Sequence, residues 1–111
     1  HNIPVSRGIL TTIYGRLKSE TDTGRVLDAF REFYANEPFV RVYPEGRLPD
    51  IKDMKYTNLC GVGVTVKRGV VTTVVSLDNL VKGASGQAVQ NMNLMLGFPE
   101  TEALGFRGMF P

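Results

Sequence analysis

Two apolar runs, residues 59–66 and 70–77, separated only by Lys67, Arg68 and Gly69, constrain this chain more than anything else in it. Runs of this length rich in valine and threonine favour extended backbone, because β-branched side chains pack well on a pleated surface. A short link ending in glycine closes them into an antiparallel hairpin, with Gly69 free to take the left-handed conformation of a bulged turn. The second run is apolar nearly throughout, the pattern of a strand buried on both faces. The remaining segments have to supply its cover.

Over residues 8–18, Ile9, Thr11, Ile13 and Leu17 share one face while Thr12, Tyr14, Arg16 and Lys18 share the other, which predicts a strand. From 24 to 35 the period lengthens. Val26, Leu27, Phe30, Phe33 and Tyr34 form the apolar stripe of a helix that Asn36 and Pro38 end. Residues 39–43 predict a short strand. Residues 44–56, with two prolines, a glycine and alternating charges, predict a long loop. A last helix is predicted over 85–96, capped by Ser85 and stopped by Gly97 and Pro99, with Ala88, Val89, Met92, Met95 and Leu96 as its buried stripe. Strand, helix, strand, hairpin, helix gives an α+β fold: a mostly antiparallel or mixed sheet backed by helices.

Composition narrows the function classes. A length of 111 residues suits one domain, or part of a larger protein. A formal net charge of +2, with scattered basic residues and no aromatic–basic stripe, argues against a nucleic-acid partner. No apolar run approaches the length of a membrane span and no signal pattern opens the chain, so no membrane partner is expected. A single cysteine precludes an internal disulfide and points to an intracellular chain; with a single histidine beside it, no structural zinc site is expected. The start at His1, where a methionine would stand, points to a fragment.

The most distinctive local feature is the polar, glycine-marked segment 78–91. With Ser85 as N-cap, free main-chain N–H groups and the positive end of the helix meet beside Lys82, a combination that suits a phosphate or another anion. Gly83 and Gly86 let a ligand approach the backbone. A plain strand-to-helix connection accounts for the glycines equally well, and neither Walker nor GxGxxG spacing is present. The surplus of polar groups (Asp78, Asn79, Lys82, Ser85, Gln87 and Asn91) favours a ligand.

Other candidates read more plainly. Cys60 sits in a buried-strand context with no cationic neighbour in sequence, so a packed structural cysteine fits better than a nucleophile. His1 alone titrates near neutrality, yet it is a chain terminus. Arg7, ahead of Gly8 and a strand, reads either as a clamp for a carboxylate or phosphate or as a solvated strand edge. Glu20, Asp22, Asp28 and Glu32 read as cap and helix-face charges, and no carboxylate pair stands out for acid–base work.

Several segments, in order along the chain, resemble the N-acetyl-gamma-glutamyl-phosphate reductases. His1-Asn2-Ile3-Pro4-Val5-Ser6-Arg7-Gly8-Ile9 is similar to their His-x-x-Pro-x-x-Arg-Gly-Ile segment. Residues 33–42 are similar to a second hallmark. Asn58-Leu59-Cys60-Gly61-Val62-Gly63 resembles their Asn-x-Cys-Asp-Ile-Gly strand, with Gly61 in place of the aspartate. Residues 78–96 match most closely, and Phe110-Pro111 resembles the family's C-terminus.

The resemblance implies part of a glyceraldehyde-3-phosphate-dehydrogenase-like catalytic and dimerisation domain spanning 1–111, with the last helix packing on a Rossmann domain that this chain lacks. It implies NADPH as cofactor, an acyl-phosphate substrate and a homo-oligomer, dimer or tetramer, in the cytoplasm or in an organelle of a eukaryote. The catalytic cysteine and the acid/base histidine are expected upstream, so Cys60 and His1 are neither, and the chain alone is expected to be inactive. Asn79, Lys82, Gly83, Ala84 and Gly86 are implied to face the nicotinamide end of NADP, with His1 and Arg7 lining the substrate pocket and no metal. An aspartate-semialdehyde dehydrogenase relative and a non-catalytic oligomerisation module are the alternatives.

Overall fold

The hairpin forms at the centre of a four-stranded sheet in the computed structural model, which describes residues 4–105. Strands β3 (Cys60–Lys67) and β4 (Val70–Leu77) pair antiparallel, from Cys60 opposite Leu77 to Lys67 opposite Val70. That register leaves Arg68 and Gly69 in the turn, both at positive φ, 52° and 73°. The connection is therefore a two-residue turn of the I′ kind, whose twist matches the strands, in place of the bulged turn expected. Strand β1 (Ile9–Arg16) adds antiparallel to β4, and β2 (Val40–Val42) adds parallel to β3, in the order β1-β4-β3-β2. The sheet is mixed, as the α+β reading required.

Helix α1 (Thr23–Phe33) lies over β3. Asp22 caps it, its Oδ1 accepting the Arg25 N–H at 2.8 Å. Thr23 Oγ1 accepts the Val66 N–H at 2.9 Å and so fixes the helix start to the end of β3. Leu27, Val62 and Val64 make the buried centre, and Cys60 packs against them from the edge. Val62 stands opposite Val75, and Val75 opposite Thr11, so this face continues past the helix onto β1. There the apolar side chains of Ile9 and Ile13 are exposed. On β4, Thr73 is buried on this face and Val74 and Ser76 on the other, which agrees with the two-sided burial expected of it.

The far face of β3 is covered by residues 44–56, which are not all loop. Helix α2 (Ile51–Met54), capped by Asp50 through the Lys52 N–H at 2.9 Å, buries Ile51 and Met54. One helical turn is too short to show a period in sequence. A Cβ at Gly61 would come within 2.7 Å of Pro49, and one at Gly63 within 2.9 Å of Leu48 and Pro49. The loop fills the space that side chains at 61 and 63 would need, which accounts for a glycine where the resemblance had an aspartate.

After β4 a π-helical turn, Val81–Ser85, runs into α3 (Gly86–Leu96). The helix stops where expected, at a left-handed Gly97 with φ 74°. Its orientation is the reverse of the expectation. The buried face carries Gly86, Gln90 and Asn93, while Met92, Leu96 and above all Met95, 85 % exposed, point outward. The polar face is satisfied by the segment folding back after the helix: Asn93 Nδ2 donates to the carbonyls of Glu100 at 3.3 Å and Glu102 at 3.0 Å. Amphipathic pattern reports which face is apolar, and only packing decides which side a partner covers.

Candidate functional site

Three segments meet at the carboxylate of Asp78, which follows β4 and is fully buried at 0 % exposure. Its Oδ1 accepts the main-chain N–H groups of Leu80 at 2.8 Å and Val81 at 3.0 Å. Its Oδ2 accepts the Tyr56 N–H at 2.7 Å and Arg7 Nε at 2.8 Å. The Arg7 guanidinium also lies over the Tyr56 ring, 4.5 Å from its centroid. Beside this junction Asn79 Oδ1 accepts the N–H of Gly8 at 2.7 Å. The lead-in to β1 and the turn after β4 are thereby joined, although they are far apart in sequence.

Burial by itself would raise the Asp78 carboxyl, but the donors from Tyr56, Leu80, Val81 and Arg7 outweigh it and hold the group below the ordinary carboxylate value. The side chain also caps the π-helical turn, so the anion expected at this helix start has no place. Ser85 is inside the helix, with φ −63°, and its hydroxyl donates to the Leu80 carbonyl at 2.7 Å. The N–H groups of Gly83, Ser85 and Gly86 bond back five residues, to Asp78, Leu80 and Val81. Their hydrogen bonds are used and a carboxylate already occupies the positive end. The anion reading of Ser85 is overturned on both counts.

The remaining candidates separate into distinct places. Gly83, Ala84 and Ser85 form an exposed ridge on the turn, with the partly exposed Asn79 near them in sequence. Gly86 is buried: a Cβ there would overlap Asn58 Oδ1, so the space it leaves serves packing and offers a ligand no approach. Lys82 turns away from the ridge. Its Nζ donates to Gln90 Oε1 at 2.7 Å and sits over the Phe39 ring, 5.1 Å from the centroid, while Gln90 Nε2 donates to Glu100 Oε2 at 2.9 Å. Burial lowers the Lys82 ammonium from its usual value, against the opposing influence of the carboxylates of Glu100 and Glu37.

Burial pushes the Cys60 thiol up, with Lys82 a smaller opposing influence, so the group is an unactivated thiol and the structural reading stands. His1 lies outside the described residues. Among the described residues no group of His, Cys, Asp and Glu is placed to hold a metal ion, and no helix is long and apolar enough to cross a membrane.

Sequence reasoning counted Asp78 among the polar residues of the turn and missed its role as hub and cap. An Asp three residues ahead of the first helical residue, Val81, was the available signal. Tyr56, at φ 62°, left none.

The semialdehyde dehydrogenase dimerisation-domain family matches residues 1–79. The chain belongs to that family. Among curated proteins it is similar to the N-acetyl-gamma-glutamyl-phosphate reductase of Pelotomaculum thermopropionicum, 48 % identical over 113 residues, covering 100 % of this chain and 33 % of that protein. Proteins of the same description from Symbiobacterium thermophilum, 53 % identical over 94 % of the chain and 30 % of their own length, and Geobacter sulfurreducens, 50 % over 98 % and 32 %, also match. The chain thus spans about a third of the length of these relatives. Among solved structures, aspartate semialdehyde dehydrogenase II from Vibrio cholerae superimposes with a TM-score of 0.70 at 21 % identity, covering 86 % of this chain and 29 % of that one. At that identity the likeness establishes the fold alone.

Proposed function

We propose that this chain is the C-terminal part, residues 1–111, of an NADPH-dependent reductase that converts N-acetyl-glutamyl 5-phosphate to N-acetyl-glutamate 5-semialdehyde and phosphate, a step of arginine biosynthesis. The Rossmann domain, the nucleophilic cysteine and the acid/base histidine lie upstream, and this chain supplies the supporting wall of the site. The substrate assignment rests on the description of the relatives at about half identity. One observation supports the reading: two of the segments that resemble the family, the first containing Arg7-Gly8 and the other starting at Asp78-Asn79, are hydrogen-bonded to each other.

The residues present fit a nicotinamide cofactor. Asn79 uses Oδ1 on Gly8, which leaves its Nδ2 to donate to a ligand carbonyl, and the ridge of Gly83 and Ala84 has little side chain to keep a flat ring away. NADPH supplies the hydride when bound; the role of this chain is to orient its carboxamide end. Lys82 contributes by ordering the turn through Gln90, and Gly86 by close packing. Arg7 is held by its Nε, so its outer Nη edge is left to serve the substrate as a clamp for a carboxylate or phosphate; His1 is assigned to the same pocket on the family resemblance alone.

The exposed apolar stripe of α3 packs on the Rossmann domain, and the uncovered sheet face at Ile9 and Ile13 makes the subunit contact of a cytoplasmic dimer or tetramer. The test is an assay of the full-length protein in the reverse direction, with semialdehyde, phosphate and NADP. NADPH formation from N-acetyl-glutamate semialdehyde, in preference to aspartate semialdehyde, is the expected result; preference for the aspartate compound would transfer the assignment to the aspartyl relative.

A further inference from the structure

All four groups donating to Asp78 are donors only: one guanidinium nitrogen and three main-chain N–H groups, drawn from three separate stretches of chain. The carboxylate is fully enclosed, and the partly exposed Arg7 side chain stands between it and solvent. Tyr56, at a positive φ of 62°, makes this contact through its N–H and carries the Arg7 guanidinium over its ring. The next residue along, Asn79, makes the second tie across the same gap, to the N–H of Gly8. Gly8 itself has no latitude. Its φ is 113°, and a Cβ there would overlap the side chain of the buried Ile51. Arg7 is the charged member among the four donors to Asp78, and its contact is one of the two side-chain ties that hold the turn against the lead-in to β1.

We infer that Asp78 is a positioning residue that couples the substrate side of the site to its cofactor side, so that loss of Arg7 loosens the hold of the turn on NADPH. This rests on the proposed reading of the turn as the nicotinamide wall. Arg7 sits on the lead-in to β1 and belongs to the substrate side; its effect on the cofactor passes through Asp78. Removing the guanidinium leaves the buried carboxylate without its charged partner. The side chain then rotates toward its main-chain donors and carries Asn79 with it. A lysine at position 7 restores a charged partner for Asp78 but not the planar fork that grips an anion.

The test is fluorescence titration of NADPH into the full-length protein without substrate, for the parent, Arg7→Ala, Arg7→Lys and Gly83→Val, with KM for the acyl-phosphate substrate measured in parallel. Arg7→Ala is expected to weaken NADPH binding by about five-fold or more, the lower end of ordinary coupling between sites. Arg7→Lys is expected to restore NADPH affinity while the substrate KM stays raised. Asp78→Asn weakens binding as well, because an amide NH2 cannot accept from these donors, and adding Arg7→Ala to it gives no further loss.

Should Asp78→Asn fail to fold, the Arg7 pair still decides. A merely structural role for Arg7 would lower the unfolding midpoint and leave the NADPH affinity of the folded protein unchanged. An unchanged affinity in Arg7→Ala with a clear loss in Gly83→Val overturns the coupling and leaves the cofactor reading intact. Unchanged affinity in both overturns the cofactor reading, and the coupling with it.

Discussion

The main-chain N–H of Gly8 donates to Asn79 Oδ1 at 2.7 Å, across a gap of 71 positions in sequence. This bond and the Arg7–Asp78 pair next to it place the start of β1 against the turn after β4. The edge strand of the sheet and the entry to the last helix are thus one structural unit.

Asn79→Ala removes the tie to Gly8 and, on the proposed reading, the Nδ2 donor to the cofactor. Loss of about one hydrogen bond's worth of net energy on binding, roughly 1 kcal/mol, corresponds to an NADPH affinity of the full-length protein weaker by about five-fold, at about one decade per 1.4 kcal/mol. Titration of NADPH fluorescence measures it. An unaltered affinity would remove Asn79 from the cofactor side.

Gly86→Ala forces a methyl group into the Asn58 carboxamide and within 2.8 Å of the Val81 carbonyl. Asn58 is itself held, Nδ2 donating to the Leu104 carbonyl at 3.0 Å, so it cannot yield without breaking that bond. Overpacking of this kind costs about 1–3 kcal/mol. The unfolding midpoint in urea should fall accordingly, with the m-value unchanged.

Arg68→Asn should act in the opposite direction. Arg68 is exposed at φ 52° in the two-residue turn, where an ordinary side chain is disfavoured by roughly 1–2 kcal/mol. Asn-Gly is the preferred pair for this turn, and asparagine recovers part of that cost. A rise in melting temperature of a few degrees is expected; a fall would mean that the turn is held by contacts of the arginine side chain.

Acid should unfold the domain through Asp78. Its folded-state carboxyl lies below the ordinary value because its hydrogen bonds outweigh its burial. A group depressed on folding stabilises the protein above its unfolded pKa, near 3.9 for Asp, and that contribution is lost as the pH falls through the lower folded value. Thermal melts across acid pH should show the decline. In Asp78→Asn the melting temperature starts lower at neutral pH and falls less steeply.

What was legible in the sequence followed local rules. The 59–77 hairpin, the helix after Asp22 and the stop at Gly97 each depend on a few adjacent residues, and each is present. What escaped was set by long-range contact. Ser85 carried the sequence marks of a cap, yet Asp78 took that role because its side chain reaches Leu80 and Val81, and a π-helical turn then consumed the intervening N–H groups. The apolar stripe of α3 was correctly identified, but within this chain it is exposed, since the face turned inward carries Gln90 and Asn93, which find polar partners in residues 100–102. Gly86 was marked as a ligand glycine, and only the approach of Asn58 showed what its missing side chain is for.

If, as proposed, this chain is the supporting wall of a divided reductase site, activity requires the rest of the protein. The direct measurement compares the full-length protein with residues 1–111 alone in the NADP-dependent oxidation of N-acetyl-glutamate 5-semialdehyde in phosphate, followed by NADPH absorbance. Turnover by the full-length protein and none by the isolated chain is the predicted result. Turnover by the isolated chain, or its absence from a folded full-length protein, would contradict the account.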